Sequence, residues 1–364
     1  MNYSKPPSAI PVTWADPARA QAFAAWLVSA AALHALEPAS VRLASADASF
    51  RRYFRIDLAT GGTCIIMDAP PDKEDCQPFV KVAGLMASAG LPVPRVLAWD
   101  EAAGFMLLSD LGAQTMMEVI APPLAVDAIA QATETHHALY MQAVDALVRW
   151  QLSSSPDVLP PYNDALLSRE LTLFPDWYVA QHRGFALTTS QQAVLSDAFK
   201  HINASNLHSL GGAQVYVHRD YMARNLMVHD GQLGVLDFQD AVYGPITYDI
   251  ASLMRDAFLT WEEDFVLDIT VRYWQQARKA GLQVGDDFGE FYRAVEWMGL
   301  QRHLKILGIF ARLTLRDGKS KYLADTPRFI KYVRATAARY RQLGPLMVLL
   351  DAIEGNETRV GYTF

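Results

Sequence analysis

The stretch Val215–Asp240, VYVHRDYMARNLMVHDGQLGVLDFQD, decides how the rest of the chain is read. Gln214-Val215-Tyr216-Val217 alternates polar and apolar residues, as a half-buried strand does. The polar run His218-Arg219-Asp220-Tyr221-Met222-Ala223-Arg224-Asn225 follows it. Two short apolar runs come next, Leu226-Met227-Val228 and Leu233-Gly234-Val235-Leu236, joined by His229-Asp230-Gly231-Gln232. Asp-Gly between two such runs is a hairpin signal. Asp220, Asn225 and Asp237 therefore all fall where a strand ends or a loop begins, and a hairpin of this size is able to bring them to one spot.

Two carboxylates and a carboxamide are oxygen donors of the kind Mg²⁺ prefers, with waters and substrate phosphates filling its remaining positions. Phosphoryl transfer needs such a metal and a carboxylate that orients the attacking hydroxyl. The kinase catalytic loop reads His-Arg-Asp with an asparagine five residues after the aspartate, then a metal-binding Asp-Phe. Here His218-Arg219-Asp220 leads to Asn225, and Asp237-Phe238 follows across the hairpin. Asp220 is the expected catalytic base, and Asn225 and Asp237 the expected metal ligands. His218 reads as a structural member of the loop.

This stretch resembles the aminoglycoside phosphotransferase and choline kinase group, the small-molecule branch of the protein-kinase-like fold. More narrowly, it resembles the anomeric kinases that phosphorylate C1 of N-acetylmuramate and N-acetylglucosamine in peptidoglycan recycling. His218–Met222, Arg224–Met227 and Leu236–Pro245 carry that narrower likeness, with Asp68–Asp75 (DAPPDKED) and Asp47–Phe54 (DASFRRYF) adding to it. The general resemblance runs from about residue 40 to 310. It implies an α+β, bilobal fold: a small antiparallel-sheet lobe over residues 1–110 and a larger, mainly helical lobe over 111–364. It implies ATP and Mg²⁺ as cofactors and a small amino sugar as substrate, in the cytoplasm, with no nucleic acid, membrane or obligate protein partner.

Composition agrees with a globular enzyme. Of 364 residues, 51% are apolar, enough for a sizeable core, and a net charge of −7 argues against nucleic-acid binding. The two cysteines, Cys64 and Cys76, provide neither a disulfide framework nor zinc spacing. No stretch reaches transmembrane length.

Taken in order, Asp16-Pro17 caps and starts a helix, and Val41–Leu43, Arg52–Leu58 and Thr63–Met67 read as strands. By the resemblance, Ala44–Arg51 covers the nucleotide phosphates; it has small residues but no glycine, and Ser49 is its candidate phosphate donor. The strand Cys64–Met67 lacks the usual phosphate-binding lysine, and the helix Pro78–Ala89 lacks the glutamate that would pair with it. Arg51, Arg52 and Arg55 are the nearest basic residues, and Arg52 and Arg55 are the expected nucleotide contacts. Phe105–Leu108 reads as a buried strand, and Ser109-Asp110-Leu111-Gly112 after it matches the hinge, where Ser109 and Leu111 are expected to meet adenine.

Beyond the hinge, Leu124–Leu152, Ala165–Arg183, Ile250–Leu259, Phe291–Arg312 and Pro327–Leu350 read as helical. Four residues are the acceptor-side candidates implied by the family: Glu170, Trp177, Asp240 and Arg255, the last suited to a substrate carboxylate. Aromatics at helical spacing equally serve a core. Asp249 is expected to cap its helix and brace the catalytic loop. Asp317-Gly318-Lys319-Ser320 mimics part of a phosphate loop, but Leu313 stands where the pattern needs glycine. A kinase of the same group for an aminoglycoside, choline or another alcohol is the alternative, as is an inactive nucleotide-binding module. A protein kinase is disfavoured because no Ala-Pro-Glu segment follows Asp237-Phe238.

Overall fold

The computed structural model describes residues 12–46, 50–120, 129–130, 133–229 and 231–355. They group into two compact units, residues 1–114 with 227–240, and residues 115–226 with 241–364. The hairpin that carries Asp237 thus belongs with the first unit and the catalytic loop with the second.

The first unit opens with helix α1 (Pro17–His34), started by Asp16, whose side chain accepts from Ala18 N–H at 2.9 Å. Its sheet contains β1 (Arg42–Ala46), β2 (Arg52–Asp57), β3 (Thr63–Asp68), β4 (Val96–Asp100) and β5 (Phe105–Ser109), with helix α2 (Gln77–Ser88) between β3 and β4. The strand order is β1-β2-β3-β5-β4, antiparallel throughout. Alternation puts Phe54, Ile56, Cys64, Ile66, Phe105 and Leu107 on one face, where they form a core with Phe23, Leu27 and Ala30 of α1.

A polar clamp pins α1 to that face. The buried Asp68 carboxylate accepts from Arg19 Nε and Nη2 at 2.9 and 2.6 Å, and from Arg52 Nε and Nη2 at 3.0 and 2.5 Å. Each guanidinium also lies over a ring, Arg19 on Phe105 at 3.9 Å and Arg52 on Trp14 at 4.0 Å. Planar, weakly hydrated guanidinium suits this double duty.

The second unit runs through α3 (Met116–Ile120), β6 (Ile129–Ala130), α4 (Glu134–Leu152), α5 (Asp164–Leu171), a π-helical segment Phe174–His182, and α6 (Thr189–His208). β7 (Gln214–Val217) leads into the catalytic loop. The hairpin of β8 (Leu226–His229) and β9 (Gln232–Val235) follows, and then β10 (Val242–Pro245) pairs back antiparallel on β7. Next come α7 (Tyr248–Met254), β11 (Thr260–Trp261), α8 (Glu263–Lys279), α9 (Phe288–Leu315), α10 (Thr326–Ala337) and α11 (Gly344–Glu354). The 28-residue α9 is the axis of this unit: Leu300, Leu304, Leu307 and Ala311 are fully buried on it. Gly308 lets it lie against the α5 side, since a Cβ there would meet the Leu173 backbone at 2.3 Å.

Two expected helices divide. Within the described part of Leu124–Leu152, Ile129–Ala130 is the short strand β6 and the helix starts at Glu134, where Thr133 and His136 form a reciprocal cap. Pro327–Leu350 splits into α10 and α11, separated by a short turn at Arg341–Leu343. The helix expected over Ile250–Leu259 ends at Met254. Helices α6 and α8 were not expected from periodicity.

Asp68→Ala leaves two half-buried guanidinium groups facing each other. It should cost on the order of 3 kcal/mol of unfolding free energy in a denaturant titration. A loss below about 1 kcal/mol would show that the clamp does not hold α1.

Candidate active site

The catalytic loop leaves β7 at Val217 and is held from several elements of the second unit. Asp249, the second residue of α7, is fully buried. Its two carboxylate oxygens accept from the consecutive N–H groups of His218 and Arg219 at 2.7 and 3.0 Å. The expected helix cap at Asp249 is replaced by this brace. Arg219 itself adopts φ +77°, a left-handed conformation uncommon outside glycine, which turns the chain immediately after the two braced N–H groups. Asp220 N–H then donates to Nδ1 of the buried His218 at 3.2 Å, and Arg302 Nη1 of α9 donates to Arg219 O at 2.6 Å. Ala223 N–H donates to Asp256 and Tyr221 Oη to Ala143 O.

Glu170 of α5 supplies the third support. It accepts from Arg219 Nη2 at 2.5 Å and Lys305 Nζ at 2.8 Å on one oxygen, and from Tyr162 Oη and Gln301 Nε2 on the other. Burial pushes its pKa up, but Lys305 and Arg219 outweigh burial and hold the carboxyl at about 2, below its ordinary 4.5. Asp249 goes the other way: burial dominates and lifts it to about 6, against the pull of His218 and the two N–H donors.

These supports leave Asp220 half-buried, with its carbonyl oxygen accepting from Asn225 Nδ2 at 2.8 Å. That bond uses the nitrogen end of the Asn225 amide. A carboxamide oxygen is the donor type a hard cation takes.

In the first unit, Asp237 follows β9 with φ +61°, half-buried, one oxygen accepting from Gln239 Nε2 at 2.8 Å. Phe238 is fully buried against Phe79 of α2, with ring centroids 4.9 Å apart. The hairpin is tied in by Val228 N–H to Gln114 O and Val235 N–H to Pro92 O. Each within its own unit, Asn225 offers an amide oxygen and Asp237 a carboxylate, both oxygen donors of the type a hard cation takes. Among the described residues no cluster of three or more His, Cys, Asp or Glu is placed to hold a metal ion.

The other candidates fall as follows. Ser49 lies outside the described residues. Arg52 is committed to Asp68, on the face covered by α1. Arg55 is paired with Asp110 at 2.6 Å and also donates to Gly112 O; Arg51 is paired with Glu74 at 3.1 Å. Every arginine of this run therefore already faces a carboxylate. The Ser109 hydroxyl accepts from Arg95 N–H, and Leu111 is buried against Gly234. Trp177 packs half-buried on the helical core, and Asp240 is exposed. Arg255 donates to Glu263 at 2.7 Å and Tyr292 Oη at 3.2 Å, and lines a cavity. Glu170, read from sequence as a substrate contact, is a loop brace in the structure. Sequence reasoning missed Gln301, Arg302 and Lys305; the polar run they form with His303 inside a long apolar helix was the available signal.

A family model described as the phosphotransferase enzyme family matches residues 40–286. The chain belongs to that family. Among family relatives, N-acetylmuramate/N-acetylglucosamine kinase of Neisseria meningitidis is 47% identical, over 88% of this chain and 93% of that protein. The protein of the same name from Pseudomonas aeruginosa is 46% identical, over 93% and 98%. A solved structure of an amicoumacin kinase in complex with AMP-PNP, Ca²⁺ and Ami shares the fold at 18% identity. Its TM-score is 0.57, covering 86% of this chain and 93% of that one. The bilobal α+β fold and the phosphotransferase activity expected from the sequence therefore hold.

Glu170→Gln should unmask the brace through pH. Because the folded carboxyl sits at about 2 against 4.5, its ionisation contributes about 3 kcal/mol that is complete above 4.5 and is lost as pH falls toward 2. The difference in unfolding free energy between wild type and variant should therefore be greatest at neutral pH, shrink below pH 4.5 and reach its minimum near pH 2. A gap of equal size at both would retire the assignment.

Proposed function

We propose that the protein transfers the γ-phosphoryl group of ATP to the anomeric hydroxyl of N-acetylmuramate or N-acetylglucosamine. The single observation that carries the sugar is near-full-length identity of almost half to kinases of that name in two organisms. The catalytic loop supports the reaction: it is assembled and braced so that Asp220 keeps its carboxylate available. Asp220 orients the sugar hydroxyl and accepts its proton. An anomeric hydroxyl is more acidic than an ordinary alcohol, so a plain carboxylate is an adequate base.

Asn225 and Asp237 are the residues that would hold Mg²⁺. When bound, that ion supplies charge neutralisation on the triphosphate. The backbone at Ser109 and Leu111 is assigned to adenine and Ser49 to the phosphates. Of the strand arginines, Arg55 is the one near the hinge, through Asp110 and Gly112; it contacts nucleotide only by exchanging part of that pairing. Arg52 is left to its clamp. Work on ATP suits the cytoplasm, where Cys64 and Cys76 remain free thiols as they are here. Among the described residues no helix is long and apolar enough to cross a membrane.

Asp220→Ala should lower kcat on both sugars by about a thousandfold or more with nucleotide affinity little changed. Asp237→Asn should weaken Mg-ATP binding, measured by calorimetry. Turnover retained by the first variant, or equal Mg-ATP affinity in the second, would remove the corresponding role.

A further inference from the structure

The positive charge that this fold usually keeps on its third strand is absent: Cys64-Ile65-Ile66-Met67 holds no lysine, and α2 holds no glutamate. The arginines nearest that strand in sequence are each paired with a carboxylate, Arg51 with Glu74, Arg52 with Asp68 and Arg55 with Asp110. Around the catalytic loop Arg219 and Lys305 are paired with Glu170, and the buried Arg302 is bonded to Arg219 O. Arg224 differs from all of these. It stands in the catalytic loop, four residues after Asp220 and directly before Asn225. It is exposed and has no ion pair among the described residues.

Its mount is nonetheless built. The guanidinium lies over the Phe258 ring, 4.9 Å from the centroid. Phe258 in turn packs on the core of the helical unit. The fully buried Asp256 ties the two together: one carboxylate oxygen accepts from Ala223 N–H at 3.3 Å and the other from Phe258 N–H at 2.6 Å. One carboxylate thus fixes both the backbone just before Arg224 and the ring beneath its side chain. Its oxygens are taken up by backbone N–H groups and do not neutralise the guanidinium by a direct bond. An aromatic face holds a guanidinium weakly at an exposed site and leaves its charge and its N–H fork unspent. Asn225 N–H donates to Met222 O and Asn225 Nδ2 to Asp220 O, so Arg224 belongs to the same closed turn as the expected base.

We infer that Arg224 is the cation that meets the phosphoryl group during transfer, bringing to the catalytic loop the charge that the third strand does not supply. The inference rests on the kinase reading above but not on which sugar is the acceptor. In the step concerned, the bond from phosphorus to the ADP oxygen breaks, the bond to the sugar oxygen forms, and the hydroxyl proton passes to Asp220. Negative charge then spreads over three equatorial oxygens. A planar guanidinium matches two oxygens of such a group at once. Arg224 turns to them without giving up an ion pair, whereas Arg51, Arg52 and Arg55 would each have to release a carboxylate.

The test compares full-length wild type, Arg224→Gln and Arg224→Lys in kinetics and in binding. Arg224 is exposed, so both variants should fold, which circular dichroism checks. Arg224→Gln should lower kcat about a hundredfold or more with the sugar KM little changed, as for loss of a donor to transition-state charge. Arg224→Lys, which keeps the charge without the fork, should fall between the two. Calorimetry should show unchanged affinity for Mg-ADP alone. Affinity for Mg-ADP with aluminium fluoride, which imitates the phosphoryl group in passage, should drop about tenfold or more in Arg224→Gln. A kcat within about threefold of wild type, or an unchanged affinity for the fluoride complex, overturns the assignment. So does a raised KM for N-acetylmuramate with kcat kept, which would make Arg224 a contact of the acceptor's acid. If wild type phosphorylates neither sugar, the sugar reading falls, and the fluoride affinities alone decide the role of Arg224.

Discussion

One buried carboxylate receiving two consecutive backbone N–H groups sets the geometry on which the second unit's chemistry depends. Asp249 accepts from both His218 and Arg219, and directly after these two N–H groups Arg219 turns the chain with φ +77°. A non-glycine residue there stores strain of about 1–3 kcal/mol, and surrounding bonds must over-determine it. They do so here: Arg219 is held at its carbonyl by Arg302 and at its guanidinium by Glu170. Asp220, the next residue, inherits its direction from these contacts without spending its own carboxylate on them.

The two supporting carboxylates have opposite thermodynamic signs. Glu170 is stabilised as an anion, because two cations and two neutral donors converge on it. Asp249 is not: with a pKa near 6 against an ordinary 3.8, its ionisation costs stability, a cost fully present once the pH is above 6. The fold thus carries a destabilising buried charge at the point that aims the catalytic loop. Two hydrogen bonds from backbone N–H offset part of the desolvation, and the rest must come from the large α9-centred core. Strain and buried charge on adjacent residues are what functional sites tolerate and ordinary cores do not.

Local features were the legible ones. Asp16-Pro17, the three strands, the Asp-Gly hairpin and the spacing of Asp220, Asn225 and Asp237 all lie in contiguous sequence, where capping, alternation and turn chemistry act over a few residues. The supports of the loop were not legible in that way. Glu170 is 49 residues from Arg219 and 135 from Lys305. No local rule distinguishes a carboxylate that meets a substrate from one that meets an arginine and a lysine brought in by folding. Arg52 failed to declare itself for the same reason: strand alternation gives its face, but only the closed sheet shows that Asp68, Arg19 and Trp14 wait there. Helix ends were misplaced where a cap overrode apolar periodicity, as Thr133 does at the start of α4.

The missing strand lysine has a structural counterpart in what fills the space around it. In β3 the residues that alternate with the α1-facing core are Ile65 and Met67, and α2 presents Phe79 to Phe238 where its sequence offers no carboxylate. An ion pair held between a strand and a helix couples their positions by charge; apolar packing couples them by volume. Phe238 is fully buried and directly follows Asp237, so the position of the metal-type carboxylate is tied to α2 through a ring contact. The basic side chains nearest in sequence to that strand already have carboxylate partners, Arg51 with Glu74 and Arg55 with Asp110. A pre-paired arginine is held in place with little side-chain entropy left to lose, at the expense of part of its charge. Apolar packing of Phe79 on Phe238 thus couples α2 to the segment after β9 in a chain that has neither the strand lysine nor the helix glutamate.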